Sequence, residues 1–532
     1  MNKQTLTAGQ TLVRLLANYG VETVFGIPGV HTLELYRGLP GSGIRHVLTR
    51  HEQGAGFMAD GYARATGKPG VCFLISGPGV TNAATAIGQA YADSIPLLVI
   101  SSVNTRESLG QGWGCLHECK DQRLLTEAIT SFSAIAMTAA EIPELIARAF
   151  AVFGSERPRP VHLSIPMDLL AEPVAMDWSN DVRHPAPRVA APQAAILEAI
   201  GLIGAALRPV MIVGGGAVDA APMVQKLAEH LQAQVFSTVS GKGILAANHP
   251  LYAGSILCMP EGWQAVAQAD LVLAIGTEMA ETDFWRELLT INAPMVRIDI
   301  DPSKFTARYA SAVALCGDAG ATLTALLYEL PKAARVTEAP TDLLARVERS
   351  QAPLQTTHLR IIRAIEAVLP ERARIASDMT QLAYSANYLM QVDGPRRWLH
   401  PTGYGTLGYG VPAGIGAQIA CPDDPVLVLV GDGGILYTLT ELATAQEELS
   451  GSLVVLLWNN EALGQIRDDM LGKHIEPIGV LPRSPNFCEL ARAFGCVATR
   501  PANLGELQLE LTAGFRRQGV TLIELTPTAV KD

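Results

Sequence analysis

Gly431-Asp432-Gly433-Gly434 and Asn459-Asn460-Glu461 are the residues whose types and spacing best suit chemistry. A carboxylate, an amide oxygen and bare glycine amides make a hard-oxygen set fit for Mg2+ with phosphate oxygens completing its shell. Each loop follows an apolar run, residues 426–430 and 453–458, that reads as a buried strand. Both loops then open at the carboxyl edge of one sheet, where open α/β sheets bind ligands. The pair reads as a diphosphate site in preference to two ordinary strand-end turns.

Three other clusters compete. Gly403, Gly405 and Gly408 match Gly-x-Gly-x-x-Gly, but Leu399-His400-Pro401 precedes them where the dinucleotide fingerprint needs a strand. Gly214-Gly215-Gly216 does follow a strand-like run and could cradle a nucleotide; a tight turn is the expectation. Cys115, His117 and Cys119 set three ligand types within a short span. Zinc needs a fourth ligand or an open catalytic position, and none is signalled nearby, so no metal is expected there.

The elements that must position these loops alternate helical periodicity with short apolar strands along the whole chain. Residues 7–19 and 140–153 read as helices, and 71–75, 97–100, 271–275, 296–300 and 374–377 as strands. Proline-rich stretches without apolar period, residues 181–192 and 331–353, divide the chain. The expected fold class is α/β: three consecutive α/β domains with mostly parallel sheets, at 1–180, 190–332 and 355–532. With 532 residues, 48% apolar and 17% charged, the chain is globular. Its apolar runs are far short of the ~18 residues of a spanning helix. The opening residues lack the apolar core of a signal peptide, so no membrane and a cytoplasmic location are expected. A net charge of −11 with no basic run argues against nucleic acid, and eight scattered cysteines suggest reduced thiols.

At this point the residues meet a resemblance. Gly431–Gly433 with Asn459-Asn460 resembles the thiamine diphosphate fingerprint, and Arg50-His51-Glu52-Gln53-Gly54-Ala55 resembles the glutamate motif of the same enzymes. Gly26-Ile27-Pro28-Gly29, Ser76-Gly77-Pro78-Gly79-Val80-Thr81-Asn82, Ile298-Asp299-Ile300-Asp301-Pro302 and Gly405-Thr406-Leu407-Gly408-Tyr409-Gly410 are similar to blocks of the acetolactate-synthase-like family. The resemblance implies pyrimidine-binding, central and diphosphate-binding domains in that order. It implies that Glu52 hydrogen-bonds the aminopyrimidine of the cofactor and that Leu407 props the cofactor in a bent shape. Asp432 and Asn460 would bind Mg2+ through side chains and Ala462 through its carbonyl. Leu463 and Gly464 would offer amides to the diphosphate, with Gly26, Pro78, Thr380, Gln381, Gly405, Thr406, Gly431, Gly433 and Gly434 as further cofactor contacts. Val30, His31, His117 and Glu118 would face the substrate, His117 as an acid or proton shuttle. The family places active sites between subunits, so a homodimer or homotetramer is implied.

Departures from the family pattern bear on the substrate, a small 2-oxo acid. Asp469, with Asp468 beside it, falls where the family uses tryptophan to size the second substrate. A buried unpaired carboxylate is costly, so such a pocket suits a cation; a solvated helix face is the alternative. The guanidinium of 5-guanidino-2-oxopentanoate would pair with a carboxylate, and its decarboxylation to 4-guanidinobutanal and CO2 is the expected reaction. Acetolactate-type carboligation of pyruvate is the rival, and a flavin or nicotinamide oxidoreductase the alternative of another class. A homologue without chemistry is disfavoured by the intact Glu52, Asp432 and Asn460. Gly276-Thr277-Glu278-Met279 replaces the family's Gly-x-Arg flavin segment, which makes FAD doubtful.

Overall fold

The computed structural model describes residues 6–331 and 342–531. The domain limits expected at residues 1, 332 and 532 lie outside them. The chain builds three six-stranded sheets, every strand pairing parallel to its neighbours. Continuous apolar runs such as Val426–Gly431 and Ser452–Trp458 are buried at every residue, as expected of parallel strands covered by helices on both faces.

The first sheet runs Arg45–Leu48, Thr23–Gly26, Gly70–Leu74, Leu97–Val103, Val161–Pro166, Phe132–Ile135. The second has Leu271–Ile275 and Pro209–Val213 at its centre. In the third, Arg374–Ser377, Val426–Gly431, Ser452–Trp458 and Gly519–Leu525 lie side by side. Gly431 is level with Trp458 in the register, so the loops carrying Asp432 and Asn459-Asn460 leave adjacent strands at the same height.

The first and third sheets are joined through a pair of helices, Glu52–Thr66 and Gly410–Ala420, which share one buried apolar cluster. A Cβ on Gly61 would stand 2.1 Å from the Ala413 carbonyl oxygen, and one on Gly416 1.9 Å from that of Met58. Only glycine lets the two backbones approach so closely. A second cluster joins the central and third domains. The third domain thus shares core with both neighbours.

The 331–353 stretch expected as a proline-rich break contains a helix, Leu343–Arg349. Asp342 caps it through the Ala345 amide, and Leu343 and Val347, one turn apart, bury into the cluster shared by the central and third domains. Two apolar residues at helical spacing were too few to stand out among the prolines. Among the described residues, no helix is long and apolar enough to cross a membrane.

Candidate active site

Close glycine packing gathers the diphosphate candidates into one cluster. A Cβ on Gly431 would lie 2.9 Å from Thr380 Oγ1, and one on Gly433 2.8 Å from Leu463 Cδ2. On Gly464 it would meet Gln381 Oε1 at 2.3 Å and Asn460 Nδ2 at 2.8 Å. Asp432 is buried, and its carboxylate accepts from Ser484 Oγ at 3.2 Å and from the amides of Gly433 and Ala462. Burial pushes its carboxyl above the usual range, while those donors pull it back. Asn460 Nδ2 donates to Gln381 Oε1 at 3.3 Å, which turns its carbonyl oxygen the other way. A carboxylate and an amide oxygen brought together beside glycine main chain are a donor set that fits Mg2+ held jointly with phosphate. Among the described residues, no group of three His, Cys, Asp or Glu side chains could hold a metal, at Cys115-x-His117-x-Cys119 or elsewhere.

Leu463 corrects one expectation. Its amide donates to the Val480 carbonyl at 2.8 Å, so it is not available to an anion. Leu463 is the residue before the helix Gly464–Gly472, and its N–H is engaged by the loop that follows that helix. Gly464, the first helical residue, keeps the outward-pointing amide of a helix start.

The loop carrying Leu407 is braced from two sides. Asp378, fully buried after the strand Arg374–Ser377, accepts from the amides of Met379, Gly408 and Gly410. Burial pushes its carboxyl up to about 6 against those donors. From the first domain, Asp93 accepts from the amides of Thr402 and Gly403 while ion-paired to Arg64, and Gln89 Oε1 accepts from Thr406 Oγ1 at 3.0 Å. These contacts occupy the amides of the Gly-x-Gly-x-x-Gly segment, so it does not act as a phosphate loop. Leu407 stands half-buried between Gly405 and Gly408, both at positive φ.

In the first domain Glu52 opens its helix directly after the cap His51, and its Oε2 accepts from Asn82 Nδ2 at 2.9 Å. Pro78 begins the neighbouring helix Pro78–Ala92. Gly26 lies with its Cα against the Phe73 carbonyl, a packing constraint on its strand. His31 is buried, its Nδ1 2.9 Å from Ser76 Oγ, which continues to Ser102 Oγ at 3.1 Å. The His117 ring stands edge-on to His31 at 5.2 Å between centroids. Burial and the neighbouring His117 hold His31 below the usual imidazole range. His117 has φ +60° and its carbonyl oxygen would lie 2.6 Å from a Cβ on Gly77, so the glycine is needed for this loop to close. Val30 is exposed beside them.

Glu118 departs from its expected place as an acid facing the substrate. Its carboxylate accepts from the amides of Gly112, Gly114 and Cys115 at 2.9, 2.7 and 3.0 Å. Three main-chain donors of its own glycine-rich loop hold it, a set of charge-assisted hydrogen bonds that closes the loop on itself.

Asp468 and Asp469 do not act as a matched pair. Successive helical residues point about 100° apart. Asp468 accepts from Gln381 Nε2 at 2.9 Å and is ion-paired to Arg467 at 2.9 Å. Asp469 is exposed, as the helix-face alternative expected and not buried as the pocket argument supposed; it accepts a side-chain amide from Gln465 at 3.1 Å and has no ion-pair partner among the described residues. Gln465, one turn earlier, was legible from the i, i+4 spacing once Asp469 was singled out. Asn82 stands in the Ser76–Asn82 segment, where nothing local marks its role, and Asp378 and Ser484 carry no local signal.

Within one chain, no hydrogen bond, ion pair or ring contact among the described residues joins the Glu52, His31 and His117 group to the Asp432, Asn460 and Asp469 group. Large apolar side chains lie exposed beside each, among them Trp113 and Leu116 by the first and Ile466, Ile478 and Leu481 by the second. In the central domain the Gly214 and Gly216 amides donate to the Ile275 and Gly276 carbonyls, as in a turn. Glu278 is ion-paired to Arg157 and Lys304.

Comparison with known proteins gives three family matches in sequence order. Residues 6–124 match the thiamine pyrophosphate enzyme N-terminal TPP binding domain, 196–326 the central domain and 378–525 the C-terminal TPP binding domain. A Pseudomonas aeruginosa protein described as "Probable 2-ketoarginine decarboxylase AruI" is 63% identical over 527 residues, covering 98% of this chain and 94% of that one. The acetolactate synthase isozyme 1 large subunit of Escherichia coli is 32% identical over 540 residues, covering 98% and 94%.

Proposed function

The chain belongs to the thiamine pyrophosphate enzyme family, and from that premise we propose that it decarboxylates 5-guanidino-2-oxopentanoate to 4-guanidinobutanal and CO2. The choice of substrate is supported by Asp469, a carboxylate with no ion-pair partner among the described residues, on the helix that starts from the metal-and-diphosphate loop; within one chain it is exposed, as on the solvated helix face, so the reading requires a second subunit to cover it. A guanidinium four bonds from the reacting end of a 2-oxo acid is the cation such a residue suits. The likeness to a protein described as a 2-ketoarginine decarboxylase supports the same substrate.

Bound in the glycine-lined cluster, thiamine diphosphate supplies the electron sink for loss of the carboxylate that no side chain offers. The residues of the chain do the rest. Asp432, Asn460 and the Ala462 carbonyl hold Mg2+, and Gly464 with Thr380 and Gln381 takes the diphosphate oxygens. Leu407 would pack against the cofactor, on a loop that Asp378, Asp93 and Gln89 hold through Gly408, Gly403 and Thr406. Glu52, oriented by Asn82, holds and returns a proton at the pyrimidine. We assign the proton that replaces the departing carboxylate to this pair, His31, whose imidazole burial holds below the usual range, and His117, whose ring stands edge-on to it. Asp469 receives the guanidinium, and Asp468, already paired, holds Gln381 in place.

The two half-sites of one chain are separate and each is bordered by exposed apolar side chains. This supports a homodimer, or a dimer of dimers, in which Glu52 of one subunit serves the diphosphate cluster of another. The ion pairs of Glu278, in the segment that replaces the family's Gly-x-Arg, support a central domain without flavin, although the Gly214–Gly216 loop lines a cavity there. The eight free cysteines fit a reducing compartment such as the cytoplasm.

The test is CO2 release by protein reconstituted with thiamine diphosphate and Mg2+ and offered the guanidino acid. Stoichiometric aldehyde is expected. CO2 release confined to pyruvate, with acetolactate as product, would assign the chain to the carboligases instead.

A further inference from the structure

The helix Glu441–Glu448 of the third domain lies against the turn that leads into Glu52. Three residues on one face of it reach the first domain. Glu448 is ion-paired to Arg45 at 2.9 Å, Glu447 is ion-paired to Arg50, and Thr444 Oγ1 lies 3.4 Å from the Leu48 carbonyl oxygen. The fourth contact is of a different kind. Glu441 is fully buried, and Oε1 accepts from the main-chain amides of Arg50 at 3.1 Å and His51 at 3.0 Å. Its Oε2 accepts from the Thr444 hydroxyl at 2.7 Å. A Cβ on Gly54 would stand 2.2 Å from Oε1, so residue 54 is glycine because the carboxylate occupies that space.

A buried carboxylate is costly to keep ionised unless donors surround it, and an apolar side chain would fill the same space. Glu441 has no ion-pair partner among the described residues; its donors are main-chain amides at the start of the Glu52 helix, whose dipole favours an anion there. Those amides belong to the two residues immediately before Glu52. The carboxylate therefore fixes the chain at the point from which Glu52 projects, and Asn82 fixes the side chain beyond it.

We propose that Glu441 is a positioning residue for the cofactor-activating step, a third-domain carboxylate that grips the Arg50 and His51 amides and so sets the place of Glu52. The proposal rests on the reading of Glu52 given above. It makes the placement of Glu52 depend on the third domain of the same chain, whichever subunit's cofactor Glu52 serves.

The experiment compares wild type, Glu441→Gln, Thr444→Val and Glu52→Gln as full-length proteins. Cofactor affinity is read from tryptophan fluorescence on titrating apoprotein with thiamine diphosphate and Mg2+. Activation is read separately, as the rate at which the bound cofactor's C2 proton exchanges with deuterium, quenched and followed by NMR. In Glu441→Gln the side-chain oxygen can keep the Arg50 and His51 amides, but the NH2 then stands where Oε2 lies 3.2 Å from the Arg50 amide, and the loss of charge-assisted bonds with that donor–donor contact corresponds to a fall of about 10-fold in exchange rate. Cofactor affinity should stay within about 3-fold, because Glu441 makes no contact in the diphosphate cluster. Thr444→Val, which frees the carboxylate to turn, should lower the rate by about 3-fold or more and serves if Glu441→Gln does not fold. Exchange at the wild-type rate in folded, cofactor-loaded Glu441→Gln, or in Thr444→Val if the first does not fold, overturns the proposal. Exchange unaffected in Glu52→Gln would instead remove the reading of Glu52 on which it rests.

Discussion

Asp469→Asn removes a charge while keeping the shape and the hydrogen bond to Gln465. Asp469 Oδ1 already accepts from Gln465 Nε2 at 3.1 Å, which leaves Oδ2 and the remaining lone pairs for an incoming guanidinium. A charge-assisted pair of this kind is worth about 1.5–3 kcal/mol, or roughly 10- to 150-fold in kcat/KM. If the site stayed as open to solvent as in the single chain, the pair would be worth no more than about 1 kcal/mol, roughly 5-fold. The assay compares the guanidino acid with its neutral ureido analogue, 5-ureido-2-oxopentanoate, which matches its length and planarity without the charge. Asp469→Asn should lower the ratio of the two kcat/KM values by about 5-fold at the exposure seen in the single chain, and by about 10-fold or more if a second subunit covers the site. Asp468→Asn should change that ratio by less than about 3-fold, because Arg467 already neutralises Asp468 and its loss acts on both substrates through Gln381. An unchanged ratio in Asp469→Asn would refute the argument, and a collapse in Asp468→Asn alone would move the recognition to the other carboxylate.

Further predictions follow from the same geometry. Glu52→Gln should lower turnover by about 100- to 10,000-fold while fluorescence titration still shows cofactor binding. Gly464→Ala places a methyl group 2.3 Å from Gln381 Oε1 and should weaken cofactor binding by about 10-fold or more, with the apoprotein's unfolding temperature little changed. His162 is buried between the hydroxyls of Ser101 and Thr126 at 2.7 Å each, and burial lowers its imidazole to about 3. It is neutral in the fold and protonates on unfolding, so the stability it confers is full above the ordinary 6.5 and is lost as pH falls from 6.5 towards 3. In His162→Gln the dependence of unfolding free energy on pH between 6 and 4 should lessen by one proton, about 1.4 kcal/mol per pH unit. Denaturant unfolding at a series of pH values measures it, and an unchanged slope would mean that His162 is not held neutral.

What the sequence made legible was local. Gly431-Asp432 and Asn459-Asn460 each follow an uninterrupted apolar run, so strand, edge and loop could be read together, and the register of Gly431 with Trp458 agrees with that reading. The same locality explains the misplacements. The carboxylate of Glu118 and the amide of Leu463 have the right residue types in the right segments. Their partners, Gly112, Gly114 and Cys115 for one and Val480 for the other, are decided by loop closure that no periodicity announces. Asp468 and Asp469 are neighbours in sequence, and the reading treated them alike. Helix geometry separates them, and Gln381, far away in sequence, takes only the first. Contacts that hold the site in place are of this long-range kind, as between Glu441 and the Arg50 and His51 amides or Asp93 and Gly403. Such pairs appear only once the first and third domains are packed through Gly61 and Gly416.

The central claim, that the chain is a decarboxylase reading a cationic 2-oxo acid, is tested most directly by competition. Protein reconstituted with thiamine diphosphate and Mg2+ is given equal concentrations of 5-guanidino-2-oxopentanoate and pyruvate, and the products are followed by NMR. The account predicts 4-guanidinobutanal and CO2 as the dominant products while pyruvate persists. Consumption of pyruvate to acetolactate, with the guanidino acid left intact, would contradict it.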